Sequence, residues 1–171
     1  MRAAVDNLEL NIVFGGDFKT GKTGLITRLI EDTFSPEHRG RIGVNKRTLN
    51  HEESGYSLNI CETVGRENFQ AVNQEVYALA DTIVLVFDVT SMRTFNNLSR
   101  HLETIKAVTH PSTQLLLIGN KSDLGNRTVS EEEAEVWALQ NDMFYLDFTA
   151  KNASKMTLIS KLTEVILKNF V

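Results

Sequence analysis

Cysteine is nearly absent from this chain: Cys61 is the only one among 171 residues. A single cysteine cannot form an internal disulfide, and no apolar signal segment precedes the first strand-like stretch. We therefore expect a cytoplasmic protein. Because Cys61 lies in a stretch of alternating apolar residues, we interpret it as a buried structural thiol rather than a reactive one.

Long apolar stretches and a strong charge of either sign are also missing. Runs such as Thr82 to Phe87 are far shorter than the roughly 20 residues that span a bilayer, so the chain itself is not expected to cross membranes. Eighteen basic and 22 acidic residues give a net charge of −4, which argues against a nucleic-acid-binding surface. The histidines show no zinc-ligand spacing and are predicted at the surface or in loops: His38, His51, His101 and His110.

Apolar patterns that are present predict six strands. An alternating stretch at residues 8–14 leads into a glycine-rich loop, and two further stretches flank the turn Glu52-Glu53-Ser54-Gly55 as a hairpin. Short continuous apolar runs are typical of buried parallel strands and indicate two interior ones. After the first, the predicted strands are Asn45–His51, Tyr56–Cys61, Ile83–Phe87, Leu115–Ile118 and Met143–Thr149.

Between most of these strands, apolar residues recur at helical spacing and predict helices. The first helix follows the glycine-rich loop and ends near Phe34-Ser35-Pro36, before a polar loop at residues 35–44. Ser130 and Glu133 form a capping box that opens a later helix. The residues predicted to face inward from the helices are Leu25, Ile26, Leu29, Ile30, Phe95, Leu98, Leu102, Ile105, Val136, Trp137, Leu139, Met156, Ile159, Leu162, Ile166 and Phe170. This alternation predicts a single three-layer α/β domain.

The glycine-rich loop is Gly16-Asp17-Phe18-Lys19-Thr20-Gly21-Lys22-Thr23. Glycines allow backbone amides to surround phosphate oxygens, and the following helix directs its positive end towards them. Lys22 is then expected to bind phosphate and the Thr23 hydroxyl to bind Mg²⁺. The loop therefore predicts a phosphate-binding site.

Two later loops indicate which base is bound. Asn120-Lys121-Ser122-Asp123 follows one buried strand and Thr149-Ala150-Lys151 follows the last. A carboxylate only accepts hydrogen bonds, so Asp123 can pair with the ring N–H and amine of guanine, whereas adenine presents an acceptor there. Ala150 can offer its N–H to the guanine carbonyl oxygen, while the Lys121 stem and Phe34 approach the two ring faces. The spacing favours GTP or GDP over adenine nucleotides.

Over essentially its whole length the chain resembles the Ras superfamily of small GTPases, and the Rab branch in particular. Besides the loops above, the resemblance rests on Ile42-Gly43-Val44, on Glu62-Thr63-Val64-Gly65-Arg66-Glu67 and on Val86-Phe87-Asp88-Val89-Thr90 with Phe95 and Leu98. The first two of these are similar to the two switch regions of the family. The resemblance implies a P-loop G domain over residues 1–171, with a six-stranded, mostly parallel sheet, one antiparallel strand and about five helices.

It also implies guanine nucleotide and Mg²⁺ as ligands, and effector and regulatory proteins in membrane traffic as partners. The nucleotide-binding residues expected from it are Lys19, Thr20, Gly21, Lys22, Thr23, Gly24, Phe34, Gly65, Asn120, Lys121, Asp123, Leu124, Thr149, Ala150 and Lys151. Thr23 is expected to ligate Mg²⁺ directly. Glu62, which stands where relatives have aspartate, is expected to hold the ion through water.

The chain departs from the family pattern around the γ-phosphate. Phe18 and Lys19 replace small residues. Phe18 is expected either to crowd the position of the attacking water or to swing onto another loop. Lys19 is expected either to contact phosphate or to project into solvent. Arg41 stands where relatives keep a threonine ligand of Mg²⁺, and a guanidinium has no lone pair for a metal. Arg66 replaces the glutamine that orients water, so no catalytic residue is assigned.

Three hypotheses follow: a Rab-like GTP-binding protein with slow hydrolysis, a scaffold insensitive to its nucleotide, or a GTPase assisted by its own arginine. Relatives usually end in a tail with prenylated cysteines, whereas this sequence ends at Val171. We expect a truncated chain, a module of a longer protein, or a protein that works without a lipid. Peripheral attachment to intracellular membranes would require a tail or a partner.

Overall fold

The structure, a computed structural model, describes residues 8–35, 45–51, 56–66 and 70–167. In these parts the chain forms one sheet whose strand order is β2-β3-β1-β4-β5-β6. Only the pairing of β2 with β3 is antiparallel there; every other pair is parallel. The strands are β1 (Leu8–Gly15), β2 (Asn45–His51), β3 (Tyr56–Glu62), β4 (Thr82–Asp88), β5 (Gln114–Asn120) and β6 (Phe144–Asp147). The predicted sheet is confirmed.

Helices connect these strands. Their bounds are α1 (Lys22–Glu31), α2 (Gln70–Ala78), α3 (Met92–Asn96), α4 (Leu98–Val108), α5 (Glu131–Gln140) and α6 (Lys155–Leu167). Asn97 alone separates α3 from α4, so these two form one interrupted unit and the described helices amount to five. Helix α2, whose buried residue is Tyr77, was not located by the sequence patterns. No helix in the described ranges has the length and apolar character that a membrane span requires.

Alternation along the strands builds two cores, one on each face of the sheet. In β1, Ile12 and Phe14 face the core beneath α1 and α6, whereas Val13 faces the core beneath the remaining helices. Helix α1 contributes its Leu25 and Leu29 to the first of these cores, as its spacing predicts. Helices therefore cover both faces, and the three-layer α/β fold is confirmed.

Three predicted core positions are wrong. Val136 is 48% exposed, Leu139 is 79% exposed and Met156 is 68% exposed. Helix α5 instead buries Ala134 and Ala138. Side chains this small fit where the helix lies close to the sheet but contribute little to an apolar pattern, so the larger exposed residues dominated the prediction. Phe170 lies outside the described residues.

The capping box is confirmed in one half, because the amide of Glu133 donates to Ser130 Oγ at 3.1 Å.

The strand order locates the edge of the sheet at which a ligand is expected to bind. From β1 the chain passes to β3 on one side and then to β4 on the other. Ligands of such sheets bind beyond the carboxyl end of the strands where this reversal occurs. The loop that follows β1, residues 16–21, lies at that point.

Candidate functional site

The loop at residues 16–21 has the backbone that a phosphate loop needs. Gly16 and Gly21 have φ angles of 128° and 96°, which L side chains rarely adopt. An added Cβ on Gly16 would overlap the carbonyl oxygen of Val86, and one on Gly21 would overlap the amide nitrogen of the Asn120 side chain. The loop is therefore packed tightly against β4 and β5 at two points where only glycine fits.

Lys22, the first residue of α1, directs its side chain into this loop and is 7% exposed. Its Nζ donates to the carbonyl oxygens of Gly16 at 2.9 Å and Asp17 at 2.7 Å. Burial lowers the pKa of Lys22 to about 8, against the opposing influence of the carboxylates of Glu62 and Asp17. The described hydrogen bonds of this buried ammonium go to neutral carbonyls. It is a suitable partner for an anion, because a phosphate would compensate the desolvation of the charge.

Thr23 and Glu62 meet at the start of α1. The Thr23 hydroxyl lies 3.0 Å from Glu62 Oε1 and 2.9 Å from Oε2, donating to the carboxylate. A hydroxyl beside a carboxylate supplies the hard oxygen atoms that Mg²⁺ prefers. The described residues contain no group of three or more His, Cys, Asp or Glu side chains that would hold a metal by themselves. Mg²⁺ in nucleotide sites usually keeps several waters and takes phosphate oxygens as ligands.

The first predicted base loop, which begins at Asn120, contacts the phosphate loop directly. Asn120 Nδ2 donates to the carbonyl of Thr20 at 3.0 Å, and Lys121 Nζ donates to the carbonyl of Lys19 at 2.8 Å. Lys19 and Lys121 both have left-handed backbones, with φ angles of 64° and 66°. The structure thus brings together segments that are about a hundred residues apart in sequence.

The two base loops are also joined to each other. Thr149 Oγ1 donates to Asp123 Oδ1 at 2.7 Å, and the amide of Ala150 points at Asn120 Oδ1 at 3.4 Å. Asp123 and its neighbour Leu124 are exposed, so the carboxylate is accessible to a ligand. The same strand ends therefore present an acceptor and a backbone donor at one edge of the sheet.

Three further predicted residues border this edge. Phe34 is 38% exposed. An added Cβ on Gly24 would lie 3.8 Å from the Phe34 ring and 3.9 Å from the Ala150 side chain, so these three residues are neighbours. Lys151 is exposed beside Ala150. An aromatic ring thus stands at the open side of the predicted base pocket.

The second switch-like segment is attached to the phosphate loop. The amide of Phe18 donates to the carbonyl of Gly65 at 3.1 Å, and the guanidinium carbon of Arg66 lies 4.8 Å from the centroid of the Phe18 ring. Asn73 on α2 bonds both the amide and the carbonyl of Val64, at 3.1 and 2.8 Å. Phe18 has therefore swung onto another loop, one of the two predicted alternatives.

Lys19 is exposed, and its Nζ lies 5.6 Å from the Phe18 ring centroid. Of its two predicted placements, this position favours projection into solvent. The first switch-like segment cannot be compared in this way: Arg41 and Ile42-Gly43-Val44 lie outside the described residues, as do Glu67, His38 and residues 36–44 of the predicted polar loop.

Sequence reasoning missed a hydrogen-bonded cluster around Asp17. Asp17 is buried and accepts from Asn97 Nδ2 at 2.6 Å, and its other carboxylate oxygen lies 2.7 Å from His101 Nε2. Burial raises the pKa of Asp17, but the bonds from His101 and Asn97 outweigh it and hold the pKa below its usual range. His101 lies in α4 with its side chain 18% exposed, so its predicted surface or loop position is wrong. The bond to a carboxylate accounts for its burial.

Asp88, at the carboxyl end of β4, was also not assigned a role. Its Oδ2 lies 2.7 Å from Lys121 Nζ, and its Oδ1 accepts from the Thr90 hydroxyl at 2.6 Å. Burial raises the pKa of Asp88, and the bonds from Lys121 and Thr90 lower it below the ordinary value. A carboxylate at the end of a buried parallel strand was the signal that could have identified Asp88.

Cys61 is half-buried rather than fully buried, and burial raises the pKa of its thiol.

The residues present fit a guanine nucleotide with Mg²⁺. Lys22 offers a buried cation, the glycine backbone leaves room for close approach, and Thr23 with Glu62 offers oxygen ligands. Asp123 and the amide of Ala150 offer an acceptor and a donor at the base edge. Nucleotide with Mg²⁺ would supply the phosphoanhydride bond and the cation that neutralises it, and these residues would bind and orient the phosphates.

Comparison with known proteins gives consistent matches. A family model described as the Ras family matches residues 11–168. "Ras-related protein RABA4b" from Arabidopsis thaliana is 36% identical over 148 residues, which cover 85% of this chain and 66% of that protein. "Ras-related protein SEC4" from Saccharomyces cerevisiae is 33% identical over 145 residues, covering 84% of this chain and 67% of that protein.

A third relative, "Ras-related protein Rab11C" from Nicotiana tabacum, is 33% identical over 159 residues, covering 90% of this chain and 72% of that protein. The chain spans just under two thirds of the length of the first of these relatives, at 66%. The similarity includes both the phosphate loop and the base loops, because it extends over residues 11–168.

Proposed function

This chain belongs to the Ras family, and we propose that it is a Rab-like protein that binds GTP and GDP with Mg²⁺ and hydrolyses GTP slowly. The observation that carries nucleotide binding is the joining of three loops at one edge of the sheet. Asn120 and Lys121 bond the carbonyls of the phosphate loop, and Thr149 bonds Asp123. Phosphate-binding and base-binding groups are thereby held at a fixed separation.

In this proposal the nucleotide-binding residues are the phosphate loop from Lys19 to Gly24, the base loops, and the neighbours that border them. Asp123 selects guanine because a carboxylate accepts from two adjacent N–H groups. The amide of Ala150 donates to the guanine carbonyl oxygen. The remaining members of the proposed site are Phe34, Gly65, Leu124, Thr149 and Lys151, with Thr23 and Glu62 for Mg²⁺.

Slow hydrolysis is supported by the position of Arg66. A glutamine at this position orients the attacking water in related enzymes. Arg66 is exposed and its guanidinium covers the ring of Phe18. A guanidinium has donors only, so it cannot accept a proton or a hydrogen bond from water. Residual hydrolysis would depend on positioning of the phosphates by Lys22.

The same contact argues against the arginine-assisted hypothesis. An arginine that stabilises charge in the transition state must reach the phosphate oxygens. Here the Arg66 guanidinium instead lies on an aromatic face. No water-positioning partner for it is found among the described residues.

The test starts from the purified protein. Any nucleotide released on denaturation is identified, and the protein loaded with GTP is then followed over time. We expect guanine nucleotide, and a single-turnover rate below the roughly 3–5 × 10⁻⁴ s⁻¹ of an unassisted small GTPase. A rate within that range would refute slow hydrolysis, and equal competition by ATP would refute guanine selection.

A nucleotide-insensitive scaffold is the second candidate, and one observation favours it. The second switch-like segment is bonded to other parts of the protein, through the bond from Phe18 to Gly65 and the two bonds between Val64 and Asn73. A ligand shifts a conformational equilibrium only through contacts that differ between states. Hydrogen exchange in residues 35–45 and 65–75 separates the candidates: equal protection with GDP and with a GTP analogue supports the scaffold.

Action through partners follows from either candidate. We propose effector and regulatory proteins as partners, a role in membrane traffic like that of Rab proteins, and a cytoplasmic location with peripheral attachment to intracellular membranes through a tail or a partner. The proposed unit is a single G domain over residues 1–171. Recovery of effectors by immobilised protein loaded with a GTP analogue, but not by protein loaded with GDP, would support nucleotide-dependent signalling.

A further inference from the structure

Arg28 on α1 binds the backbone of the last base loop. Its Nε donates to the carbonyl of Ala150 at 2.9 Å, and its Nη2 donates to the carbonyl of Lys151 at 3.0 Å. The side chain is 12% exposed although it is charged. One planar guanidinium therefore fixes two consecutive carbonyl groups of a loop that lies 122 residues further along the chain.

The guanidinium is itself held from the other side. Its Nη1 donates to the carbonyl of Asp32 at 2.7 Å and lies 3.3 Å from Asp32 Oδ1. Asp32 ends α1 in a left-handed conformation with a φ of 53°. The same Oδ1 accepts the amide of Lys155 at 2.8 Å, and Lys155 Nζ donates to the carbonyl of Ile30 at 3.1 Å. The end of α1 and the start of α6 thus fix the position of Arg28.

The direction of a carbonyl group determines that of the next amide. A trans peptide unit is planar, so the N–H of Lys151 points away from the Ala150 carbonyl and hence away from Arg28. The N–H of Ala150 already points at Asn120, a residue of the other base loop. The Lys151 amide therefore faces away from the guanidinium, which holds the carbonyl side of the same peptide unit.

We propose that Arg28 is a positioning residue for guanine recognition, which acts through the Ala150 carbonyl by orienting the amide of Lys151 towards the 6-oxygen of the base. The inference rests on the proposed guanine binding and adds the group that aligns this donor. A preorganised donor loses less conformational freedom on binding, so the benefit appears in affinity for ligands that carry that oxygen. The described bonds from the Arg28 side chain to the loop all go to main-chain carbonyls of the loop. The proposed action of Arg28 therefore does not depend on the side chains of the loop.

A comparison of two nucleotides tests this role. The affinities of the full chain for GDP and for the diphosphate of 2-aminopurine riboside are measured for the wild type and for Arg28→Met. The analogue lacks the 6-oxygen and the N1–H of guanine, and loss of the N1–H contact with Asp123 affects both proteins alike, so the change in preference reports on the 6-oxygen. We expect the substitution to weaken GDP binding about tenfold, since hydrogen bonds to a charged group are lost. Binding of the analogue should change little. The preference for GDP over the analogue should therefore fall about tenfold.

The matched control is Arg47→Met. Arg47 Nη1 lies 2.9 Å from Glu31 Oε1, so it makes an ion pair with the same helix. Its described hydrogen bond does not involve the base loop. This variant should keep the wild-type preference, which separates the loss of a charge near α1 from the loss of loop orientation.

Equal losses for both nucleotides in Arg28→Met, or an unchanged preference, would overturn the positioning role. If Arg28→Met does not fold, Arg28→Lys is measured in its place. A lysine cannot bridge two carbonyls with a rigid fork, so part of the preference should be lost, and full retention would count against the proposal. Wild-type protein that does not prefer GDP over the analogue would refute the proposed guanine binding itself.

Discussion

The guanidinium of Arg66 covers the ring of Phe18, with its central carbon 4.8 Å from the ring centroid. Two positions that depart from the family pattern are thus in contact with each other. The backbone joins the same two segments, because the Phe18 amide donates to Gly65. An added Cβ on Gly65 would overlap that amide, so the segments approach closely. The pair connects the phosphate loop to the second switch-like segment.

Removing both members of this pair should increase GTP hydrolysis. We expect Phe18→Ser combined with Arg66→Gln to raise the single-turnover rate towards roughly 10⁻⁴ s⁻¹, because a water-orienting amide is restored and the ring that packs against residue 66 is removed. Arg66→Gln alone should give a smaller gain, since the Phe18 ring can still hold the new side chain against itself. Release of phosphate from protein loaded with GTP measures both. A slower Arg66→Gln variant would instead support assistance by the arginine.

Glycine at position 21 should be required for binding. An alanine there would overlap the Asn120 side chain and would adopt a φ of 96°, a strain of roughly 1–3 kcal/mol. We expect Gly21→Ala to weaken GDP binding at least tenfold, measured by titration with a fluorescent GDP derivative. Gly125→Ala is the control, because nothing lies within 4 Å of its added Cβ. Equal affinities of the two variants would contradict the tight loop.

Much of the fold could be predicted because its signals are local. The hairpin strand β2 has the predicted bounds, Asn45–His51, since alternating residues and a turn define it. Helix α5 shows the limit. Its buried face consists of Ala134 and Ala138. Burial of this helix therefore depends on how close it lies to the sheet rather than on large apolar side chains.

Residues that act through distant backbone could not be found in this way. In the sequence, Arg28 looks like an ordinary exposed charge on a helix. Its partners are the carbonyls of residues 150 and 151, which are far away along the chain. Phe18 and Arg66 were each identified as departures, but their contact depends on how the two loops meet. His101 was predicted at the surface or in a loop, and its bond to Asp17 could not be foreseen because the two residues are 84 apart in sequence.

Removal of magnesium should accelerate nucleotide release. Thr23 and Glu62 lie within 3.0 Å of each other at the proposed metal position. We expect a chelator to speed GDP dissociation from the wild type, whereas Thr23→Val, which removes the hydroxyl ligand, should release GDP quickly with or without it. Glu62→Gln should weaken Mg²⁺ binding by roughly 10–100-fold, as is usual for groups that act through water. Dissociation of a fluorescent GDP derivative measures each rate, and a chelator without effect on the wild type would contradict the proposed site.

Stability in acid should depend on Asp17. Because the pKa of Asp17 is lower in the folded chain, the unfolded chain binds more protons as the pH falls below about 4. The contribution of Asp17 to the free energy of unfolding is therefore complete above the unfolded pKa and is lost as the pH falls through the folded one. Asp17→Asn should be less stable than the wild type near pH 6, with a difference that shrinks towards about pH 3.

Urea unfolding at several pH values measures this difference. His101→Gln should reduce it in part, because the bond from Asn97 Nδ2 at 2.6 Å remains and Arg100 Nη2 lies 3.8 Å from the same carboxylate. A difference between wild type and Asp17→Asn that stays constant from pH 6 to about pH 3 would mean that the loss comes from packing rather than from charge. The phosphate loop would then be held to α4 by shape alone, and the ionised carboxylate would contribute no pH dependence of its own.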